Sequence, residues 1–202
     1  MRADAPSPSA WICAIPIASS PASRRRCGTL GGLDIVVNNA ALLVPGTLDQ
    51  QKQRHIDLLW EINLRGLIYL TREALPHMRT RGGGRIINVS SRGAVFPGPG
   101  PYPSDARKGG WLYGGLKAAL ERMSQGWAID LQEDSISVNV LSPEGRILTP
   151  GALFASSDPD NPNLDFEPAE KMGKGAVGSR EQPPTFTGHI LFDEQLCEEQ
   201  GL

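Results

Sequence analysis

Three runs of β-branched and other apolar residues, each followed by polar side chains, predict three buried strands. The runs occupy residues 33–41, 85–91 and 135–142; the first ends in two amides and small residues, and the second ends in two serines. Such short, nearly continuous apolar runs are typical of parallel strands that are buried on both faces. Because ligands of open α/β sheets bind at the carboxyl ends of the strands, these polar ends are candidate site positions.

Apolar residues at helical spacing predict two long helices, over residues 57–78 and residues 111–133. Their apolar faces comprise Leu59, Ile62, Leu67, Leu70 and Met78 in the first helix, and Leu116, Leu120, Met123 and Trp127 in the second. A shorter helix around residues 168–177 and a last strand at residues 188–192 follow. Strands that alternate with helices predict an α/β fold, in which helices cover a parallel sheet.

Three segments have the composition of loops or of unstructured chain. Residues 1–27 mix prolines, small residues and an arginine run, which predicts a disordered or poorly packed leader. Residues 92–110 are rich in glycine and proline, and residues 152–166 have the composition of a mobile surface loop that could act as a substrate lid. Residues 28–202 are therefore expected to form one folded domain.

Composition excludes several classes of function. The formal net charge of -2 gives no reason to expect a nucleic acid or an acidic membrane surface as partner. No apolar run reaches the roughly 18 residues of a membrane span. The scattered Cys13, Cys27 and Cys197 and the dispersed histidines do not have the spacing of a metal site. Scattered cysteines fit a reducing cytoplasm best.

Tyr113 and Lys117 lie one helical turn apart and project from the same face of the second long helix. A nearby ammonium favours the phenolate form of a tyrosine. Lowering the pKa of a phenol from ~10 to ~7 requires about 4 kcal/mol of differential stabilisation. Taken alone, the pair is a weak signal, because an exposed Tyr and Lys on a helix face give the same pattern. Gly114 and Gly115 each weaken the helix by ~1 kcal/mol; close approach of a ligand or simple drift would both explain them.

Five motifs, taken in order, resemble those of the short-chain dehydrogenase/reductase family over roughly residues 28–202. The first three are the Asn-Asn-Ala end of the first strand, Asn63 in mid-helix 24 positions beyond Asn39, and the serine strand at residues 86–91. The other two are Tyr-x-x-x-Lys and a Pro-Gly-x-x-x-Thr-like loop, and a strand resembling the family's closing one follows at residues 187–190. The resemblance implies a Rossmann-like parallel sheet with helices on both faces.

The chain departs from the family pattern in several places. Ala41 stands where glycine is usual, Glu144 interrupts the Pro-Gly loop, and 22 residues separate Ser91 from Tyr113, a longer interval than is common. Above all, the glycine-rich turn that cradles the cofactor pyrophosphate in the family is missing before residue 28. We therefore expect an N-terminally truncated sheet of about four strands, whose first strand exposes an apolar edge.

The resemblance assigns catalytic roles to four residues. Tyr113 would be the general base or acid, and Lys117 would lower its pKa and hold the nicotinamide ribose. Ser91, with Ser90 as the alternative, would hydrogen-bond the reacting oxygen. Asn63 would interrupt the hydrogen bonding of its helix and hold a water that relays protons to Lys117.

The resemblance also implies a cofactor, NAD or NADP, since the segment that selects between them is absent. The cofactor-binding residues would be Asn39, Ala40, Ala41, Tyr113, Lys117, Pro143, Gly145 and Thr149. The substrate would be a small-molecule alcohol or carbonyl, and the assembly a homodimer or homotetramer. The alternative function is a non-catalytic remnant with impaired cofactor binding that acts at most through oligomerisation. An epimerase or lyase with the same Tyr/Lys pair is less favoured, because the Asn-Asn-Ala strand and Asn63 point to dehydrogenases.

Overall fold

The computed structural model describes residues 11–13, 32–102, 109–154 and 166–201. Its strands are β1 Trp11–Cys13, β2 Ile35–Asn38, β3 Gly84–Val89, β4 Ile136–Ser142, β5 Arg146–Ile147, β6 Phe166–Glu167 and β7 Ile190–Phe192. Five of them form one parallel sheet in the order β1-β2-β3-β4-β7, and β5 pairs with β6 in a small parallel sheet. The predicted α/β class and parallel sheet are confirmed.

Six α-helices lie in the described part of the chain: α1 Gln53–Trp60, α2 Gly66–Arg81, α3 Trp111–Asp130, α4 Pro150–Phe154, α5 Glu170–Glu181 and α6 Asp193–Gln200. A π-helical turn, Glu61–Arg65, joins α1 to α2, and single 3-10 turns occupy Arg92–Ala94 and Gln132–Asp134. The first predicted helix therefore starts earlier than its apolar pattern indicated, and the second ends earlier. None of these helices is both long and apolar enough to cross a membrane.

The amino-terminal edge of the sheet differs from the expectation. All four predicted strands are present, and Trp11–Cys13 adds a fifth, parallel to β2, with Trp11 opposite Ile35. The edge of β2 that we expected to be exposed is therefore paired, by a strand too short to be found from its sequence pattern. The rest of the expected leader, residues 1–27, and most of the expected lid, residues 152–166, lie outside the described residues.

Helices cover both faces of the sheet. Since neighbouring residues of a strand point to opposite sides, they pack against different helices. Ile86 of β3 packs in a buried cluster with residues of α2 and α3, whereas the next residue, Ile87, packs with Leu196 of α6 and with Met172 of α5. This double burial explains why the strands are apolar at nearly every position. It also confirms the predicted arrangement of helices on both faces.

A chain of buried polar side chains ties two helices to the middle of the sheet. Asn38 Nδ2 donates to Asn88 Oδ1 on the neighbouring strand (2.7 Å) and to Thr71 Oγ1 on α2 (3.2 Å). Asn88 Nδ2 donates in turn to Ser124 Oγ on α3 (2.8 Å). Because buried polar groups are costly unless they are paired, these bonds fix α2, β2, β3 and α3 in one arrangement.

Candidate active site

One face of α3 docks on the carboxyl end of β3. A Cβ added to Gly114 would lie 2.4 Å from the carbonyl oxygen of Gly93, so only glycine permits this approach. One turn further along, Lys117 Nζ donates to the carbonyl oxygen of Val89 (2.7 Å), and Ser124 bonds to Asn88. The tight packing of α3 against the 3-10 turn, rather than the approach of a ligand, therefore accounts for Gly114. No neighbouring atom lies within 4 Å of an added Cβ at Gly115.

The same turn brings Ser91 beside Tyr113. A Cβ built on Gly93 would lie 3.5 Å from Ser91 Oγ and 3.7 Å from Tyr113 Cδ1, so both side chains border the same small volume. Ser91 Oγ accepts a hydrogen bond from the backbone N–H of Gly93 (3.1 Å). Its own hydroxyl hydrogen is thus left to donate elsewhere. Two residues that are 22 positions apart in sequence thus both lie close to Gly93, just beyond the end of β3.

Lys117 is a buried cation next to the tyrosine. Its residue surface is only 2% exposed, and its Nζ lies 5.7 Å from the centroid of the Tyr113 ring. Burial lowers the pKa of Lys117 from 10.5 to about 8, and the charge of Glu121 partly opposes this change. At neutral pH the Lys117 side chain therefore remains mostly charged and supplies a positive charge beside the Tyr113 ring.

The two serines after β3 have different partners. Ser90 is buried, at 4% exposure, and its Oγ donates to Glu121 Oε1 on α3 (2.6 Å). Ser91 is half-buried and contacts Gly93 as described above. Ser90 is therefore bonded to α3, whereas Ser91 lies close to Gly93, as the Tyr113 ring does.

Asn63 lies in the π-helical turn and is almost completely buried, at 1% exposure. Its Nδ2 donates to the carbonyl oxygens of Leu42 and Leu59 (2.9 Å each), and its Oδ1 accepts from the N–H of Leu42 (3.2 Å). The side chain therefore fastens the loop after β2 to the helix. The regular α-helical bonding is interrupted at Asn63, as expected, but its side-chain amide is occupied by protein partners.

The loop after β2 carries three of the expected cofactor contacts. Asn39 and Ala41 are exposed, and Ala40 between them is half-buried. The N–H of Asn39 bonds to the carbonyl oxygen of Val37 (3.1 Å), which turns the chain sharply at the end of the strand. Small side chains at 40 and 41 leave the backbone open to a ligand there.

The loop after β4 carries the other three expected contacts. Pro143 and Gly145 are half-buried, and Thr149 is exposed. Thr149 Oγ1 accepts from the N–H of Ala152 (3.0 Å) at the start of α4. Its hydroxyl hydrogen is thus available to a ligand.

Four charged residues that sequence reasoning did not select help to build the site. Glu144, which interrupts the Pro-Gly pattern, forms an ion pair with Arg92, the residue after Ser91. The N–H of Glu144 donates to Oδ1 of the buried Asp193 (2.7 Å). Glu121 receives the hydroxyl of Ser90. The positions of Arg92 next to Ser91 and of Glu121 one turn after Lys117 were the available signals.

In the described ranges, no group of three or more His, Cys, Asp or Glu side chains is arranged to hold a metal ion. Besides the charged groups just described, the polar groups at this edge of the sheet are a phenol, an ammonium, hydroxyls and an amide. Such groups move protons and form hydrogen bonds to oxygen.

Residues 21–153 match the family described as short chain dehydrogenase. The chain belongs to this family. The matched segment includes both β2 and β3 and the whole of α3, and therefore the Tyr113 and Lys117 pair. The match agrees with the resemblance that the five motifs carry.

Curated relatives of this chain are named as oxidoreductases or dehydrogenases. An uncharacterized oxidoreductase of Thermotoga maritima is 30% identical over 179 residues, which is 86% of this chain and 63% of the relative. The 4-formylbenzenesulfonate dehydrogenase of Comamonas testosteroni is 33% identical over 120 residues, or 56% of this chain and 42% of that enzyme. The chain thus spans less than two thirds of the length of these relatives.

Solved structures have the same fold. A variant of a Serratia marcescens short-chain dehydrogenase/reductase is 29% identical, with a TM-score of 0.69 over 85% of this chain and 68% of that one. A gluconate 5-dehydrogenase from Burkholderia cenocepacia, solved with NADP and tartrate, is 23% identical, with a TM-score of 0.69 over 84% of this chain and 66% of that one. At that identity the second likeness shows the fold alone.

Proposed function

We propose that this short-chain dehydrogenase is an NAD(P)-dependent oxidoreductase that interconverts an alcohol and a carbonyl, with Tyr113 as the proton-transferring group. One observation carries the proposal: Ser91 Oγ and the Tyr113 ring converge on Gly93, while the buried Lys117 lies beside the tyrosine. Three groups of the types needed to hold and protonate a reacting oxygen thus meet at the carboxyl end of a parallel sheet.

Tyr113 acts as the general base in alcohol oxidation and as the general acid in carbonyl reduction. The neighbouring Lys117 ammonium favours the phenolate, because an opposite charge stabilises the ionised form. Burial strengthens this effect, since the interaction is less screened than it is in water. The Lys117 pKa of about 8 keeps the lysine mostly charged at neutral pH, where the effect is needed.

Ser91 donates its hydroxyl hydrogen to the reacting oxygen and stabilises the negative charge that builds there. The bond from the N–H of Gly93 supports this role, because it orients the Ser91 oxygen and leaves the hydrogen free. Ser90 is not suited to it, since its hydroxyl is buried and donates to Glu121. Between the two serines we therefore select Ser91.

Asn63 holds the loop after β2 in position through its side chain. Its bonds to both backbone groups of Leu42 keep the neighbouring cofactor loop at a fixed distance from the helix. A π-helical turn also displaces main-chain groups from their usual helical partners. The proposed proton relay to Lys117 requires a bound water. We propose that a main-chain carbonyl of this turn, and not the Asn63 amide, binds that water.

The residues present fit a nicotinamide nucleoside. Lys117 directs one N–H at Val89 and can give the others to ribose hydroxyls. Thr149 can donate to a carboxamide, and Asn39, Ala40 and Ala41 offer an amide and an open backbone. When bound, the nicotinamide supplies or accepts the hydride that the protein itself cannot carry. Two structural neighbours were solved with NADP, but the choice between NAD and NADP stays open.

The remaining properties follow from family membership as proposals. The substrate is a small alcohol or carbonyl compound, and the protein acts as a homodimer or homotetramer in the cytoplasm. Neither nucleic acid nor membrane takes part. The dispersed cysteines support a reducing compartment.

The proposal is tested by measuring the binding of NADH and NADPH to the purified chain. Quenching of tryptophan fluorescence and calorimetry detect the binding. Saturation at micromolar cofactor is expected, and turnover of an alcohol or aldehyde panel should then depend on Tyr113. Absence of binding at millimolar cofactor would overturn the proposal for this chain. It would favour the alternative of a non-catalytic remnant.

A further inference from the structure

Two partly buried hydrogen bonds connect the last residue of β3 and the residue after it to successive turns of α3. Val89 accepts from Lys117 Nζ (2.7 Å), and Ser90 donates to Glu121 Oε1 (2.6 Å). Lys117 and Glu121 are four positions apart, so they lie on the same face of the helix. The Lys117 ammonium and the Glu121 carboxylate are therefore each bonded to the chain at the end of the strand, one helical turn apart and directly before Ser91.

Glu121 is the charged group that acts on Lys117. Other charged groups on neighbouring elements are engaged elsewhere: Arg92 pairs with Glu144, and Glu61 pairs with Arg65 in the π-helical turn. Tyr113 is a further titratable neighbour of Lys117, with its ring centroid 5.7 Å from Lys117 Nζ. A buried ammonium loses much of its hydration, and a nearby carboxylate compensates part of that loss.

We propose that Glu121 is a positioning residue for the reaction. Its carboxylate holds the Tyr113 helix on the end of β3 through Ser90 and maintains the positive charge of Lys117 from one helical turn away. The catalytic consequence rests on the proposed function. In that function, the charge on Lys117 favours the Tyr113 phenolate. The link between Glu121 and Lys117 itself does not depend on catalysis.

The consequence is a division of labour on one helix face. Ser90 fixes the Glu121 side chain, Glu121 sustains the charge of Lys117, and Lys117 acts on Tyr113. Burial already lowers the pKa of Lys117 to about 8, and the Glu121 charge opposes the decrease. Without that charge, less of the lysine would be protonated at neutral pH.

The first test measures the titration of Lys117 directly and needs no activity. The chain has five lysines, so protein labelled with ¹³C at lysine Cε gives few signals, and the Lys117 signal is assigned by its absence from Lys117→Met. In Glu121→Gln, which retains an oxygen for Ser90 but loses the charge, the titration midpoint should move to lower pH. In Asp130→Asn, which removes an exposed carboxylate from the same helix, it should stay at the wild-type value. An unchanged midpoint in Glu121→Gln would overturn the proposal.

The second test separates the charge from the hydrogen bond. Ser90→Ala removes the bond to Glu121 but keeps the carboxylate, whereas Glu121→Asp keeps the charge on a shorter side chain. We expect kcat/KM of Glu121→Gln relative to wild type to fall as the pH rises from neutral toward the Lys117 midpoint, with partial rescue in Glu121→Asp. A pH-independent loss, the same in Glu121→Gln and Ser90→Ala, would reduce Glu121 to a packing role and refute the charge relation. If no variant or wild type turns over, the proposed function fails, and the lysine titration still decides the role of Glu121.

Discussion

The two sides of the candidate site are built in opposite ways. On the side of α3, buried or half-buried groups join the helix to β3 and the turn after it at four places: Gly114, Lys117, Glu121 and Ser124. On the side of the loop after β4, the corresponding link is the exposed ion pair between Arg92 and Glu144, supported by one backbone contact to Asp193. The groups that we propose to transfer protons are thus held by contacts between α3 and the end of β3, whereas the loop that we propose to face cofactor and substrate is held by largely exposed contacts.

Replacing Tyr113 by Phe should have the largest effect on the rigid side. Loss of a general acid–base group costs on the order of 10³-fold in kcat/KM. The thermal midpoint should hardly change, because the aromatic ring that contacts the 3-10 turn remains. Steady-state kinetics and calorimetry on the same preparation measure both quantities. A loss below about tenfold would remove Tyr113 from the chemistry.

Lys117→Met should reduce kcat/KM by roughly 10²-fold and should also change how stability depends on pH. Burial lowers the folded-state pKa of Lys117 to about 8 from 10.5, so in this window the unfolded chain binds the proton that the folded chain has released. The free energy of unfolding of the wild type therefore gains from this group as the pH rises from about 8 toward 10.5.

The methionine variant should lack that gain. Urea unfolding at about pH 7 and about pH 10 measures the difference between the two proteins. Equal pH dependence in both would show that the lysine is not buried in the folded protein.

A matched pair of glycine variants tests the packing of the rigid side. In Gly114→Ala the new Cβ meets the Gly93 oxygen at 2.4 Å, which should lower the free energy of unfolding by about 1–3 kcal/mol and displace Tyr113 from Ser91. In Gly115→Ala the new Cβ meets nothing within 4 Å, so the helix should gain up to about 1 kcal/mol. Urea denaturation of both variants decides the matter; similar effects in the two would contradict the close approach.

The smallest effect is expected on the open side. Glu144→Gln removes the ion pair with Arg92, and exposed pairs of this kind contribute about 0–1 kcal/mol. The free energy of unfolding should therefore fall by less than about 1 kcal/mol, and the difference from wild type should shrink at high salt. Arg92→Gln and the double variant complete the cycle. A loss comparable to that of Gly114→Ala would make the two sides equally rigid.

The sequence predicted the parts of the fold that repeat along the chain. Burial determines the apolar runs of β2, β3 and β4 and the helical spacing of apolar residues in α3. These elements can therefore be predicted from the sequence alone. Placing Tyr113 and Lys117 on one helix face required only the helical period. The edge strand Trp11–Cys13 has only three residues and was missed, because its pairing depends on β2 and not on its own pattern.

Contacts between distant segments could not be predicted in the same way. Nothing in the sequence near Ser90 states that its hydroxyl meets Glu121, and the choice between Ser90 and Ser91 depended on that contact. Likewise, Gly114 could be read as a ligand approach or as drift until its distance to Gly93 was known. Such contacts arise from the crossing of α3 over β3, which no local spacing encodes.

The contacts that Gly114, Lys117, Glu121 and Ser124 make along one face of α3 determine where insertions and deletions can be tolerated. One residue inserted or deleted between Tyr113 and Ser124 would rotate every later contact by about 100° around the helix axis and separate Lys117 or Glu121 from the strand end. The connection between Ser91 and Tyr113 has no such periodicity, and lengthening it costs little. Insertions and deletions among homologous chains should therefore accumulate before Trp111 and be absent from the turns that follow it.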